Sequence, residues 1–300
     1  KVATLCFTPK KREMMNRLHP AMTCLFPSLM VLSSMLFIDA VPGQEIVAHR
    51  GASHDAPENT VAAFRLAWEQ GADAIEGDFR LTADGQVVCL HDADTKRVTG
   101  DRVNWKISEV TFEKLQTLDV GRWKGEPFAG ERIPTLTQVL AIIPPGKKLF
   151  LEIKGGPELV EPIRRVLVSS GVNLKQIVII AFDQDTVVAV RRRLPEVRVY
   201  WLVSYKQDKV TGRWTPTVDE VFETLARIRP HGLDTEGNPE IVNQAFVDRL
   251  RREGYGFHVW TIDDGDRARA FRDLGVDSIT TNRPAFIRKE LQRQGNEKEP

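Results

Sequence analysis

From residue 44 onward, short apolar runs alternate with longer amphipathic ones. The first run, Ile46-Val47-Ala48, stops at His49-Arg50-Gly51. A polar loop then passes through Pro57-Glu58-Asn59-Thr60 into residues 59–70, where Val61, Phe64, Leu66, Ala67 and Trp68 recur at helical spacing and Gly71 ends the helix. A second strand is expected over residues 74–81. Asp84-Gly85 marks a turn, and residues 86–90 read as a further strand that ends at His91-Asp92. Between residues 93 and 133 the periodicity breaks into charges, glycines, the isolated Trp105 and Trp123, and one short helix around 108–118. A connection this long inside a compact domain is expected to be a functional insertion. A helix over 135–143 follows and is stopped by Pro144-Pro145-Gly146.

The alternation then becomes regular. Strands are expected at 148–153, 176–182, 197–203, 232–234, 256–261 and 278–281, with helices at 158–170, 184–194, 218–228, 241–253, 266–274 and 284–294. With the runs at Ile46 and Ala74 as the first two strands, this makes eight strand–helix units. Their pattern predicts an α/β fold, a (β/α)8 TIM barrel over residues 44–294 with a small insertion (about 93–133) after the second strand. The chain has no glycine-rich dinucleotide fingerprint and no GxxxxGK phosphate loop. Residues 295–300 read as a disordered tail.

Residues 1–43 differ from the rest. Lys10-Lys11-Arg12 and Arg17 precede an apolar stretch from Ala21 to Ile38, the arrangement of a secretory signal peptide or of an uncleaved signal anchor. Export to the periplasm or the extracellular space is therefore expected, with membrane attachment only through this leader. The formal net charge is +1, but residues 1–43 hold five basic and two acidic side chains, so the remainder carries −2. That balance leaves no basic field for a nucleic-acid partner. Of Cys6, Cys24 and Cys89 only the last lies beyond the leader, in a strand-like run, and reads as a small core residue.

The candidate chemistry sits at strand ends. Glu76 and Asp78 are two apart on the second strand, so period two puts both on one face, directed into a barrel mouth. Glu152 and Lys154 repeat the pattern at residues 149–154. Three carboxylates on core-directed faces are costly unless compensated. A divalent cation, Ca2+ or Mg2+ given the all-oxygen donor set, would compensate them; so would an ion-pair network with Arg50 and Lys154. His49 and His91 each end an apolar run and suit proton transfer near neutral pH. Arg50 and Lys154 would hold a phosphate. Together these residues point to metal-assisted phosphoester hydrolysis. His54 reads as loop surface and His258 as a packing residue.

The ordered set His49-Arg50-Gly51, Pro57-Glu58-Asn59-Thr60, Glu76-Gly77-Asp78, Asp84-Gly85, His91-Asp92, Ile133-Pro134-Thr135-Leu136, Leu151-Glu152-Ile153-Lys154 and Val259-Trp260-Thr261 resembles the glycerophosphodiester phosphodiesterases from about Ile46 to Arg288. The resemblance implies a TIM barrel and a divalent cation. It also implies hydrolysis of glycerophosphodiesters, a small-molecule substrate, to sn-glycerol 3-phosphate and an alcohol. It makes His49 and His91 the acid–base pair, Glu76, Asp78 and Glu152 metal ligands, and Arg50 and Lys154 phosphate contacts. Glu58 becomes a supporting residue of the substrate site and Trp260 an aromatic lining the glycerol end. The chain departs from the family's usual residues at Gly77, Ala181 and Asp263. Two other enzymes share parts of the pattern: a phospholipase-D-like barrel acting on intact lipids, and a metal-independent glycosidase with paired carboxylates on barrel strands.

Overall fold

The computed structural model describes residues 44–293. The leader and the tail expected at 295–300 lie outside the described residues. In chain order the strands are β1 (Glu45–Ala48), β2 (Ala74–Leu81), β3 (Val87–Cys89), β4 (Lys148–Ile153), β5 (Ile177–Ala181), β6 (Arg198–Val203), β7 (Lys206–Gln207), β8 (Trp214–Thr215), β9 (Gly232–Glu236), β10 (Gly256–Trp260) and β11 (Ser278–Thr281). The helices are α1 (Val61–Glu69), α2 (Phe112–Leu115), α3 (Leu136–Leu140), α4 (Val160–Ser170), α5 (Gln184–Arg193), α6 (Val218–Ile228), α7 (Gln244–Arg252), α8 (Gly265–Leu274) and α9 (Pro284–Arg293).

Eight of these strands run parallel in the order β1, β2, β4, β5, β6, β9, β10, β11. Because β1 pairs with both β2 and β11, the sheet closes on itself. This is the expected (β/α)8 barrel. Strands such as β5, IVIIA, form because they are continuous β-branched and aliphatic runs; all five residues of β5 are buried. Successive side chains face opposite ways. One set, including Ile75, Leu149, Ile179, Val199 and Leu233, packs outward against helix residues such as Phe64, Leu167, Val190 and Leu225. The other set fills the barrel with Val47, Ala74, Phe150, Val178, Ile180, Tyr200, Leu202 and Trp260. His258 belongs to that interior. It is buried, its Nδ1 meets Ser278 Oγ at 2.6 Å, and its ring meets Phe150 and Tyr200 edge-on, which is the packing role its pattern suggested.

The strand expected at 86–90 forms as β3 across the Asp84-Gly85 turn, antiparallel to β2 with Phe79 opposite Cys89, so it extends a hairpin off the barrel. The short apolar reading at 232–234 extends to Glu236, because backbone pairing with β6 and β10 on both sides holds residues that are too polar to look like a strand. The insertion has a small core of its own, built from Val88, Leu90, Val98, Ile107, Leu115, Leu118, Val120 and Ile133. Among the described residues no helix is long and apolar enough to cross a membrane.

Candidate active site

A cavity of about 300 Å³ opens at the C-terminal ends of the barrel strands. His49, Arg50, Glu76, His91, Glu152 and Lys154 form its polar side, and Ile180, Phe182, Leu202, Asp234 and Trp260 face them. Such a mouth is where a barrel presents side chains from several strand ends at once.

The loop after β1 is shaped by sterics. Arg50 and Gly51 both take the left-handed conformation, with φ of 57° and 80°. A Cβ on Gly51 would lie 2.6 Å from the main chain of Ala63, so only glycine fits there. This turn points the Arg50 N–H at Glu76 Oε2, 2.9 Å away, and its guanidinium at Asp78, with Nε 3.2 Å from Oδ2. Asn59, also left-handed at φ 57°, donates from Nδ2 to the same Asp78 oxygen at 2.7 Å and accepts the Asp78 N–H at its Oδ1. Asparagine tolerates this conformation better than most residues.

Glu76, Asp78 and Glu152 are buried and converge, each offering one oxygen within 4.8 Å of the others. Lys154 Nζ sits 2.5 Å from Glu152 Oε1 and 3.2 Å from Asp78 Oδ1. Glu76 Oε1 is buried without a hydrogen-bond partner. Burial and the charges of Asp78 and Glu152 push the Glu76 carboxyl well above the usual range. Burial and Asp78 likewise push Glu152 up. Asp78 goes the other way: burial opposes its charge, but Lys154 and Arg50 outweigh it and hold the carboxyl down. Burial, and then the excess of three carboxylates over two cations, thus raises two of the three carboxyls. An oxygen-only cluster with an unpartnered buried oxygen fits a hard divalent cation, which would offset that excess charge.

The two histidines are held differently. His49 Nδ1 lies 2.8 Å from Asn282 Oδ1, and Asn282 Nδ2 donates in turn to Asp263 Oδ2 at 2.6 Å. That chain fixes the amide orientation, so His49 carries its proton on Nδ1 and keeps the lone pair on Nε2, which lies 4.0 Å from Glu76 Oε2. Burial and Arg50 lower its pKa to about 4. His91 Nδ1 instead meets a carboxylate, Asp92 Oδ1, at 2.7 Å. Burial lowers the His91 pKa, against the pull of Asp78 and Asp92.

A second ring of ion pairs supports these groups. Arg97, from the insertion, donates to both oxygens of Glu58 (2.7 and 2.9 Å) and to Asp92 Oδ2 (2.7 Å). Glu58 also pairs with Arg50 Nη1 at 3.0 Å. Burial opposes the Glu58 charge, but Arg97 and Arg50 hold its pKa below the usual carboxylate range. Glu58 therefore stands behind Arg50 and does not line the cavity. Trp260 does line it, edge-on to Phe182 with ring centroids 5.8 Å apart. His54 lies at the surface, as expected.

All nine sequence-derived residues thus fall in one constellation. Sequence reasoning missed Asn59, Arg97, Asp234, Asp263 and Asn282. The signal for Asn59 was its place beside Glu58 in the motif Pro57-Glu58-Asn59-Thr60. Asn282 offered none, since it meets His49 only after β11 closes the barrel against β1.

The glycerophosphoryl diester phosphodiesterase family description matches residues 49–286. A glycerophosphodiester phosphodiesterase of Caldanaerobacter subterraneus subsp. tengcongensis is 33% identical over 258 residues, which cover 83% of this chain and 98% of that one. Among solved structures, an Oleispira antarctica phosphodiesterase in complex with the product sn-glycerol-3-phosphate is 27% identical with a TM-score of 0.69, covering 83% of this chain and 97% of that one. The glycerophosphodiester phosphodiesterase of Thermotoga maritima is 27% identical with a TM-score of 0.65, covering 82% and 97%.

Proposed function

Because this chain belongs to the glycerophosphoryl diester phosphodiesterase family, we propose that it hydrolyses glycerophosphodiesters to sn-glycerol 3-phosphate and an alcohol, with His49 and His91 as its proton-transfer pair. The observation that carries this reading is the convergence of two differently backed histidines, two cationic side chains and a three-carboxylate cluster on one cavity.

Glu76, Asp78 and Glu152 would hold a Ca2+ or Mg2+ ion. When bound, that ion offsets the negative charge that builds on the phosphoryl group. Arg50 and Lys154 bind and orient the non-bridging phosphate oxygens, Arg50 through a planar fork that Glu58 keeps in position. His49, backed by a neutral amide, presents the lone pair of Nε2 and takes the proton of the attacking hydroxyl. His91, backed by the Asp92 carboxylate, is the histidine better able to carry positive charge, and it gives a proton to the departing alcohol. Trp260 and Phe182 cover the carbon skeleton of the glycerol and keep water from that side. A metal-independent glycosidase would leave Arg50 and Lys154 with no phosphate to hold.

The test is release of glycerol 3-phosphate from glycerophosphocholine, with EDTA and with Ca2+ or Mg2+ restored. His49→Ala and His91→Ala are each expected to lower kcat by ~10²- to 10⁴-fold while dichroism and cation binding stay intact. Full turnover in EDTA, or near-normal turnover in either variant, would overturn the reading.

A further inference from the structure

Asp234 has no role in the chemistry above, yet it lines the same cavity. It lies on β9, four strands round the barrel from β2, so it looks across the mouth from the Glu76 side. It is 1% exposed, and its Oδ1 has no hydrogen-bond partner. Its neighbours explain why nothing in the fold satisfies it. On β6 the residue in register is Leu202, and on β10 it is His258, whose Nδ1 is already taken by Ser278. The Trp260 indole N–H goes to the main-chain oxygen of Asp234, 3.3 Å away, not to its carboxyl. The wall around it is otherwise apolar, formed by Ile180, Phe182, Leu202 and Trp260.

A buried, unpaired carboxyl destabilises a fold, and leucine or asparagine would be better tolerated here for packing alone. A lone hydrogen-bonding group on an apolar wall complements a short carbon chain that carries hydroxyls: carbons lie on the wall, and one hydroxyl reaches the polar atom.

We infer that Asp234 is a specificity-determining residue that hydrogen-bonds a hydroxyl of the substrate's glycerol end. The inference rests on the proposed reaction, because it assumes that a glycerol phosphate occupies the cavity. In the bound state the hydroxyl meets the Asp234 carboxyl, whose Oδ1 the fold leaves without a partner. An analogue lacking hydroxyls forgoes that contact and binds more weakly.

The experiment compares the affinity of the cation-loaded protein for sn-glycerol 3-phosphate and for n-propyl phosphate, by calorimetry, in the wild type, Asp234→Asn and Asp234→Leu. Asn keeps the shape and the hydrogen bonding; Leu fills the site with apolar volume. The wild type is expected to prefer glycerol 3-phosphate by ~10-fold or more. Asp234→Asn should keep most of that preference. Asp234→Leu should bring it to about one with propyl phosphate affinity unchanged.

An undiminished preference in Asp234→Leu, or no preference in the wild type, overturns the inference. So does a parallel loss of propyl phosphate affinity, which would assign Asp234 to holding the pocket's shape. If Asp234→Asn loses the preference as fully as Leu, negative charge is what the ligand reads, and the hydroxyl assignment fails. Wild-type turnover of glycerophosphocholine, measured alongside, separates the two levels. Absent turnover counts against the proposed reaction, whereas a preference that survives in Asp234→Leu counts against Asp234 alone.

Discussion

Replacing Glu76 by glutamine should make the cation-free protein more stable and the cation-loaded protein less responsive. Glu76 is 2% exposed, gives Oε2 to the Arg50 N–H at 2.9 Å, and leaves Oε1 without a partner. Asp78 and Glu152 lie against it, so without a cation its charge is both desolvated and repelled. Glutamine keeps the shape and the acceptor for Arg50 while removing the charge. Relief of one buried, unpaired ionisable oxygen corresponds to ~1–3 kcal/mol. For a domain of this size each kcal/mol moves Tm by ~2–4 °C, so Glu76→Gln in EDTA should melt ~2–12 °C above the wild type. Saturation with Ca2+ or Mg2+ should reverse the order. A cation at a hundred times its Kd adds ~2.7 kcal/mol to the wild type, and the variant, short of one ligand, gains far less. Scanning calorimetry of both proteins in EDTA and across a cation titration reads this directly. If the wild-type Tm ignores both cations and Glu76→Gln melts below it in EDTA, Arg50 and Lys154 neutralise the cluster by themselves and the cation site does not exist.

Two further outcomes follow from other parts of the site and core. Arg97→Ala frees Glu58 and Asp92 together, so kcat/KM should fall ~10-fold or more. Without Arg97, Asp92 binds His91 more strongly, so the limb of the pH–rate profile set by His91 should move to higher pH; Arg97→Lys should recover part of the rate, and an unmoved profile in Arg97→Ala would show that Arg97 only tethers the insertion. His258 is buried, and its pKa is lowered to about 3 by desolvation and then by Arg198 and Lys148. The unfolded chain takes up that proton near its ordinary pKa of ~6.5 while the native chain refuses it, so this residue removes stability as pH falls from ~6.5 toward ~3, by at most ~1.4 kcal/mol per pH unit. His258→Phe should therefore be the less stable protein near neutral pH, having orphaned Ser278 Oγ, and should close or reverse that gap by about pH 4.5 in urea titrations; a gap independent of pH would refute the assignment.

How much of this was legible in the sequence depends on the range of each interaction. Glu76, Asp78 and Glu152 were readable because a strand's period of two is local and a carboxylate on a core-directed face is an anomaly that needs no partner to be noticed. His49 and Arg50 were readable because the turn that exposes them directly follows an apolar run. Arg97 was not, since one arginine within an irregular charged segment looks like any solvated side chain until the segment folds back over the mouth. Asp263 and Asn282 were hidden for a topological reason. They come from the loops after β10 and β11; Asn282 meets His49 across the seam where the last strand pairs with the first, and Asp263 reaches it only through Asn282. Asp263 even registered as a departure from the family's usual residue, although it anchors the amide behind His49. Asp234 was concealed by its own strand, which looked too polar and too short and is held by backbone pairing on both sides.

The hairpin that carries His91 has a consequence for how this enzyme wears out. His49 rides on a strand locked into the closed barrel, whereas His91 follows β3, whose residues Val88 and Leu90 are anchored in the small core of the insertion. Two separately stabilised pieces must therefore stay in register for the proposed proton-transfer pair to act together. The smaller piece buries fewer apolar side chains and is expected to open first on heating. A heated sample should then lose activity while it keeps the circular dichroism of an intact barrel, which makes residual turnover, and not the melting curve of the whole chain, the measure of its shelf life.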